Sequence, residues 1–250
     1  MHDQTDIRLD QLEDWLEIFF DDANFTLSKA SDDASFRRYF RIERSNLSFI
    51  AMDAPPEKEN SKLFVEIAEL LRDNNIHAPK IIDKDLEQGF LLIEDLGNTT
   101  FLQALDNKTD LNLYKLAIDE LVKIQQIDVA TYPLNQYNHD LLNTELELLI
   151  DWYLPKDINQ NSFANLRSLF DQLIQNSLSS PQVFVHRDYH CRNLMVTHEK
   201  ITVIDFQDAV IGSNTYDLAS LLKDAYFELS PFEIKTLLEY YYQQANVQTP

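Results

Sequence analysis

Two carboxylates and one amide stand at a spacing that suits phosphoryl transfer. Asp188 and Asn193 lie in the segment His-Arg-Asp-Tyr-His-Cys-Arg-Asn at positions 186–193, and Asp205 follows shortly after it. Phosphoryl transfer from ATP needs an aligned hydroxyl, a base beside it, and divalent cations at the phosphate oxygens. The pattern predicts Asp188 as the base, and Asn193 and Asp205 as oxygen ligands of Mg²⁺.

Strand signals on both sides of this segment support the prediction. The apolar run from Gln182 to Val185 leads into it. Residues 194–196 and 201–204 then read as a hairpin around a polar turn. Such a hairpin would carry Asn193 at its start and Asp205 at its end, so we expect the two side chains to lie side by side.

A zinc site is an alternative for the same segment, because His186 and His190 are four residues apart and Cys191 follows them. Zinc would require a helical segment and a further ligand nearby. The strand-like flanks argue against a helix.

Composition limits the function classes. The 250 residues are 44% hydrophobic, which suits one large domain or two lobes. The formal net charge of −21 repels nucleic acid and anionic membranes, so we expect neither as a partner. The single cysteine and the absence of a visible secretory signal predict a cytoplasmic protein. Three glycines are too few for a Walker-type phosphate loop or a dinucleotide fingerprint.

Apolar periodicity divides the chain in two. Before residue 95 it predicts a first helix, strands at 25–27, 36–42, 48–52, 80–82 and 90–93, and a helix at 61–74. After the break at residues 94–98 the pattern becomes mostly helical. It predicts a helix capped by Thr109 or Asp110, helices at 141–152 and 163–174, and, beyond the hairpin, helices from about 216 and at 231–241.

The segment 186–193 resembles the catalytic loop of the protein-kinase-like superfamily, and within it the aminoglycoside phosphotransferase and choline kinase group. Three further stretches resemble the bacterial N-acetylmuramate/N-acetylglucosamine anomeric kinases of cell-wall recycling. They are Asp-Ala-Ser-Phe-Arg-Arg-Tyr-Phe-Arg at 33–41, Met-Asp-Ala-Pro-Pro at 52–56 and Asp-Phe-Gln-Asp-Ala-Val at 205–210.

The resemblance implies an α+β, bilobal protein-kinase-like fold. Residues 1–95 would form a nucleotide-binding lobe of sheet plus helix, and residues 96–250 a mainly helical catalytic and substrate-binding lobe. It implies an ATP- and Mg²⁺-dependent kinase that phosphorylates the anomeric hydroxyl of an amino sugar. The resembling kinases continue beyond the point where this sequence stops, so we expect either a piece of a longer protein or a short form.

The resemblance also implies roles for side chains around the loop. His186 would support the loop by hydrogen bonding, and Asp217 would brace its backbone or serve as a helix N-terminal charge. His190 would contact the γ-phosphate or the acceptor, or be structural. Asp208 would contact substrate or metal, or be a solvated turn residue. At the hinge, backbone groups near Glu94 and Leu96 would bind adenine.

The nucleotide lobe departs from the general kinase pattern. Met52 stands near the position of the usual strand-three lysine and cannot bind phosphate. We therefore expect an arginine to bind the phosphates instead, because guanidinium can bind phosphate oxygens bidentately. Arg38 is the preferred candidate, and Arg37 and Arg41 are the alternatives. Glu66 or Glu69 would orient it. Ser35 belongs to the expected phosphate loop, in which Asp32 replaces a usual glycine.

Two alternatives remain open at this stage. The acceptor could be another small hydroxyl compound, such as an aminoglycoside or choline, whose positive charge suits an acidic protein. The missing lysine and Asp32 could instead indicate a nucleotide-binding scaffold without turnover, although such a scaffold would not need Asp188, Asn193 and Asp205 together.

Overall fold

The first unit is an antiparallel sheet with helices packed against it. The computed structural model describes residues 6–31, 36–106, 108–132, 134–154, 160–197 and 200–245. The chain divides into two units, Met1–Asn98 and Thr99–Pro250. The described elements of the first are α1 (Ile7–Phe20), β1 (Thr26–Ser31), β2 (Arg38–Arg44), β3 (Leu47–Asp53), α2 (Ser61–Asp73), β4 (Ile81–Asp85) and β5 (Phe90–Glu94).

The sheet has the strand order β1-β2-β3-β5-β4, and every neighbouring pair is antiparallel. Alternation along the strands turns Phe40, Ile42 and Phe90 towards Leu12 and Leu16 of α1, and these side chains form one buried cluster. The register of β2 on β3 also brings opposite charges together, because Arg38 on β2 lies directly across from Asp53, the last residue of β3.

Side-chain caps define where the helices of this unit begin. The Asp6 carboxylate accepts a hydrogen bond from the backbone N–H of Leu9 at the start of α1, and Asn60 does the same for Leu63 in α2. The apolar stripe of α2 is buried, as its helical spacing predicts.

The second unit is mainly helical and contains two small sheets. Its described elements are α3 (Phe101–Leu105), α4 (Leu111–Gln125), β6 (Asn135–Gln136), α5 (His139–Leu148), α6 (Gln160–Ser179), β7 (Gln182–Val185), β8 (Leu194–Thr197), β9 (Lys200–Val203), β10 (Val210–Ser213), α7 (Tyr216–Leu222) and α8 (Pro231–Gln244). A short 3₁₀-helix, Val129–Thr131, and a π-helix, Leu149–Tyr153, complete them.

The two sheets hold the loop that follows β7. Strand β10 lies between β6 and β7, antiparallel to β7, while β8 and β9 form an antiparallel hairpin. Helix α4 packs its buried face against β7 and β9. One end of the loop is thus fixed by a core strand and the other by the hairpin.

Most predicted elements are present, with ends shifted by a few residues. The predicted strand at 36–42 begins at Arg38, and Phe36 lies before it with 63% of its surface exposed. Asp110 caps α4, which is one of the two residues predicted for that role. The boundary after Asn98 falls within the expected hinge segment 94–98, and the nucleotide and substrate roles of the two units stay predictions.

Several features differ from the sequence expectation. The apolar stripe predicted through Trp152 ends earlier, because α5 gives way to the π-helix and Trp152 is 86% exposed. Helix α3 and strand β10 were not predicted, since five and four residues are too few to show a period.

In the part of the chain that the structure describes, we find no helix that combines the length and apolar character needed to cross a bilayer.

Candidate active site

The segment between β7 and β8 folds back on itself and brings Asp188 close to Asn193. The backbone N–H of His190 donates to the carbonyl of Asp188 at 2.9 Å, and the N–H of Asn193 donates to the carbonyl of His190 at 2.9 Å. The Asn193 side-chain amide then donates to the Asp188 carbonyl at 3.1 Å. This segment is a loop without helical structure, which removes the geometry that the zinc alternative required.

The hairpin delivers Asp205 to the same place. The N–H of Ile204 donates to the carbonyl of Asn193 at 3.1 Å, which continues the pairing beyond β9. Asn193 Nδ2 lies 3.2 Å from Asp205 Oδ2. Asp205 has a left-handed backbone (φ 63°), a conformation that aspartate adopts more readily than most residues. The sequence-predicted trio of Asp188, Asn193 and Asp205 is therefore brought together.

Two neighbours complete the polar cluster. The Gln207 amide donates to Asp205 Oδ1 at 2.8 Å and to Asp208 Oδ2 at 3.3 Å. Gln207 itself is buried, whereas Asp208 is exposed. Sequence reasoning proposed Asp208 but missed Gln207, and its only signal was its position two residues after Asp205.

The electrostatics of the cluster act on Asp188. Its carboxylate reaches solvent, yet the surrounding protein desolvates it enough to raise its pKa above the ordinary range. His190 opposes this shift, while the negative charges of Asp205 and Asp208 add to it. A carboxylate with a raised pKa is a stronger proton acceptor, which is the property that a general base needs.

Two buried side chains, Asp217 and His186, hydrogen-bond to the backbone of the loop. Asp217 accepts hydrogen bonds from the backbone N–H groups of His186 at 2.7 Å and Arg187 at 3.0 Å. Burial raises the pKa of Asp217 to about 7, and these two hydrogen bonds oppose the shift. Asp217 therefore contacts the backbone of the loop, and its bracing role stays a prediction.

His186 makes two contacts of its own. Burial lowers the pKa of His186 to about 4, so the ring is neutral at pH 7. Its Nε2 lies 2.9 Å from the Ile204 carbonyl and must carry the proton there. Nδ1 is then left to accept the N–H of Asp188 at 3.3 Å. His186 therefore hydrogen-bonds to backbone groups at both ends of the site, and its supporting role stays a prediction.

An ion pair connects the loop to α5. Arg187 has a left-handed backbone (φ 78°), and its guanidinium donates to Glu145 Oε1 at 2.5 Å. Glu145 also accepts the hydroxyl groups of Tyr137 and Tyr216. This network was missed by sequence reasoning. The one signal for it was a glutamate within the apolar stripe of α5.

The donor set fits a cation that also binds phosphate. Asn193 and Asp205 offer an amide and a carboxylate, and Mg²⁺ is commonly held by one or two such groups plus water and substrate phosphates. No group of three or more His, Cys, Asp and Glu suited to a metal occurs among the described residues.

In the first unit, Arg38 is paired with two carboxylates. Its guanidinium donates to Asp53 Oδ2 at 2.8 Å through Nε and to Asp6 through both terminal nitrogens. Arg8 donates to the other oxygen of Asp53 at 2.8 Å. Asp53 is fully buried, whereas Arg38 retains 36% exposure.

The other nucleotide-binding predictions have mixed placements. The carboxylate of Glu66 lies 3.6 Å from Lys62, and that of Glu69 lies 3.0 Å from Lys84, so the orienting partner of Arg38 is Asp53 instead. Arg37 pairs with Glu59 at 2.7 Å. Ser35 lies outside the described residues.

The expected hinge is held by charged side chains of the first unit. The N–H of Glu94 donates to the Lys80 carbonyl at 2.9 Å, and its carboxylate accepts the Lys80 N–H at 3.1 Å. Asp95 pairs with Arg41 at 2.7 Å, so Arg41 contacts the expected hinge segment. Leu96 is half-buried.

The fold is that of the protein-kinase-like proteins. The structure resembles an ADP-bound aminoglycoside phosphotransferase, APH(2'')-Ib, with a TM-score of 0.65 at 17% identity, over 94% of this chain and 82% of that one. It resembles the choline kinase LicA of Streptococcus pneumoniae with a TM-score of 0.67 at 16% identity, over 93% and 79%. These similarities confirm the predicted α+β, protein-kinase-like fold class.

The chain belongs to the phosphotransferase enzyme family, whose model matches residues 26–248. It is 41% identical to the N-acetylmuramate/N-acetylglucosamine kinase of Pseudomonas aeruginosa, over 88% of this chain and 66% of that protein. It is also 41% identical to the protein of the same name from Pseudomonas putida, over 97% and 75%. A Neisseria meningitidis protein of that name is 34% identical, over 94% and 72%. The chain thus spans about two thirds to three quarters of these relatives, and the family prediction is confirmed.

Proposed function

We propose that this chain is an ATP-dependent kinase that phosphorylates the anomeric hydroxyl of N-acetylmuramate or N-acetylglucosamine. The observation that carries the phosphotransfer is the convergence of Asp188, Asn193 and Asp205, with hydrogen bonds of 3.1 and 3.2 Å through the Asn193 amide. The sugar class is supported by relatives at 41% identity that carry this activity in their names.

Asp188 is the proposed proton acceptor. The sugar hydroxyl oxygen would attack the γ-phosphorus of ATP while its proton passes to the Asp188 carboxylate, and the bond between the γ-phosphorus and the β,γ-bridging oxygen would break to release ADP. The raised pKa of Asp188 supports this role. His186 and Asp217 act by holding the backbone of the loop, since both contact main-chain groups on either side of Asp188.

Asn193 and Asp205 would hold Mg²⁺. When bound, the cation neutralises charge on the phosphate oxygens. The amide nitrogen of Asn193 faces Asp188 and Asp205, to which it donates its hydrogens. To serve as a ligand, the Asn193 side-chain amide would therefore have to rotate so that its oxygen faces the cation. His190 and Asp208 are proposed to border the acceptor or the γ-phosphate.

In the first unit, Arg38 is the proposed phosphate ligand, with Asp53 as its buried anchor and Asp6 as an exposed partner that phosphate can replace. Backbone groups near Glu94 and Leu96 are proposed to bind adenine, and Ser35 the phosphates. A cytoplasmic role in peptidoglycan recycling follows from the proposed substrates.

A substrate panel tests the proposal. The protein is incubated with Mg·ATP and N-acetylmuramate, N-acetylglucosamine, aminoglycosides or choline, and ADP release is followed. We expect stimulation by the N-acetylated sugars alone, with the 1-phosphate as product. Stimulation by aminoglycosides or choline would reassign the acceptor, and silence across the panel with ATP still bound would indicate a scaffold.

The variant Asp188→Asn tests the base. The amide cannot accept the proton but has nearly the same shape, so kcat should fall by about 10² to 10⁴ while ATP binding persists. Full turnover in Asp188→Asn would remove Asp188 from the mechanism.

A further inference from the structure

We infer that Arg192 recognises an acceptor carboxylate, and so makes N-acetylmuramate the preferred sugar. This inference rests on the proposed function. It concerns a cluster of three side chains on and beside the catalytic loop: His190, Arg192 and Tyr226.

Arg192 differs from the other arginines in its partners. Among the described residues, eight arginines pair with a carboxylate and Arg192 does not. This is unexpected on a chain with 42 acidic and 21 basic residues. An exposed guanidinium left without a carboxylate, one residue before the proposed ligand Asn193, is available for an anionic ligand.

Arg192 is held by an aromatic ring. Its guanidinium carbon lies 4.8 Å from the centre of the Tyr226 ring. The same ring meets His190 edge-to-face, with centres 5.4 Å apart. Stacking of this kind orients the planar fork and reduces the freedom it loses when it binds.

A single carboxylate fixes both sides of the cluster. Asp224 accepts the backbone N–H of Cys191 through one oxygen and the N–H of Tyr226 through the other, each at 2.8 Å. Cys191 lies between His190 and Arg192, so Asp224 ties the loop to the residue on which Arg192 stacks. The cluster is thereby built into the loop.

The cluster borders the proposed base. The backbone N–H of His190 donates to the carbonyl of Asp188 at 2.9 Å. Asn193, which directly follows Arg192, donates its side-chain amide to the Asp188 carbonyl at 3.1 Å, so the backbone of Arg192 lies beside the proposed base. N-acetylmuramate differs from N-acetylglucosamine by a lactyl ether that carries a carboxylate, and guanidinium matches a carboxylate with two parallel hydrogen bonds.

The specificity ratio tests this assignment. We define it as kcat/KM for N-acetylmuramate divided by kcat/KM for N-acetylglucosamine. In Arg192→Gln the ratio should fall by about 10- to 100-fold, since a charge-assisted pair is lost. Arg192→Lys keeps the charge without the planar fork and should recover part of the ratio. Arg167→Gln removes an arginine of α6 that pairs with Glu147 and should leave the ratio unchanged.

The outcomes separate the inference from the proposed function. An unchanged ratio, an equal loss for both sugars, or a rise in KM for ATP alone would overturn the inference while sugar turnover keeps the proposed function. If the wild-type chain phosphorylates neither sugar, the proposed function fails. Calorimetric titration with N-acetylmuramate then decides the inference: binding that Arg192→Gln weakens at least tenfold supports it, and absent or equal binding overturns it.

Discussion

The chain contains two charged regions, and they differ in whether a carboxylate is paired with positive groups or placed near other carboxylates. In the first unit, the buried carboxylate of Asp53 accepts hydrogen bonds from both Arg8 and Arg38, so negative and positive groups compensate each other. In the second unit, Asp205 and Asp208 share the neutral amide of Gln207, and burial, together with their charges, raises the pKa of nearby Asp188. We call these the arginine–aspartate cluster and the acidic cluster.

The difference indicates what each region is for. A buried carboxylate is costly unless it is paired, so breaking the pairing in the arginine–aspartate cluster should destabilise the first unit. Carboxylates placed together repel one another and favour binding of a cation or a proton. The acidic cluster therefore carries the features expected of chemistry. Variants that remove one carboxylate at a time test whether the two clusters differ in this way.

The largest effect is expected in the acidic cluster. Asp205→Asn removes the proposed anionic ligand of Mg²⁺, and kcat/KM should fall by at least about 10³-fold because phosphate charge is no longer neutralised. Steady-state ADP release measures it. Asp140→Asn, which changes a carboxylate of α5 that is 97% exposed, is the control and should retain full turnover. Comparable activity in Asp205→Asn and the control would contradict the contrast.

A loss of stability is expected in the arginine–aspartate cluster. Asp53→Asn leaves two arginines without their buried partner and should lower the free energy of unfolding of the first unit by about 2 to 4 kcal/mol. Asp6→Asn removes an exposed partner of Arg38 and keeps a good helix cap, so it should cost less than about 1 kcal/mol. Urea unfolding compares them, and equal costs would show that burial does not distinguish these carboxylates.

The smallest effect concerns pH. The pKa of His186 is about 4 in the folded chain against its usual 6.5, so the unfolded chain binds the proton first as pH falls. The contribution of His186 is complete above pH 6.5 and is lost towards pH 4, by about 2 kcal/mol at pH 5. The pKa of Asp217 is raised, so its contribution to the free energy of unfolding changes with pH in the opposite sense. This contribution is present in the wild type and in every variant that retains Asp217.

The comparison with His186→Gln isolates this contribution. The difference in unfolding free energy between wild type and variant should shrink by about that amount between pH 7 and pH 5. A difference that does not change with pH would show that His186 is not held neutral by burial.

Local signals predicted much of the fold and of the candidate site. Asp110, one of the two caps predicted for α4, acts within three residues of its own position, and helical apolar periods identified α1, α2 and α4. The convergence of Asp188, Asn193 and Asp205 was predictable because one hairpin joins Asn193 to Asp205, and a hairpin can be read from a short stretch of sequence.

The ionic partners were not predictable in the same way. Arg38 meets Asp53 and not Glu66 or Glu69, because the register of β2 on β3 places them opposite each other. Arg187 meets Glu145 and the N–H of Cys191 meets Asp224, across 42 and 33 residues. No short stretch of sequence contains both members of such a pair.

The sequence by itself determined the chemistry available to this protein, because residue types and short spacings within one loop and one hairpin suffice for it. The tertiary structure alone decided which charges are compensated inside the protein and which are left for a ligand. The reason is physical: the free energy of a charge depends on the groups packed around it, and most of those groups come from distant parts of the chain.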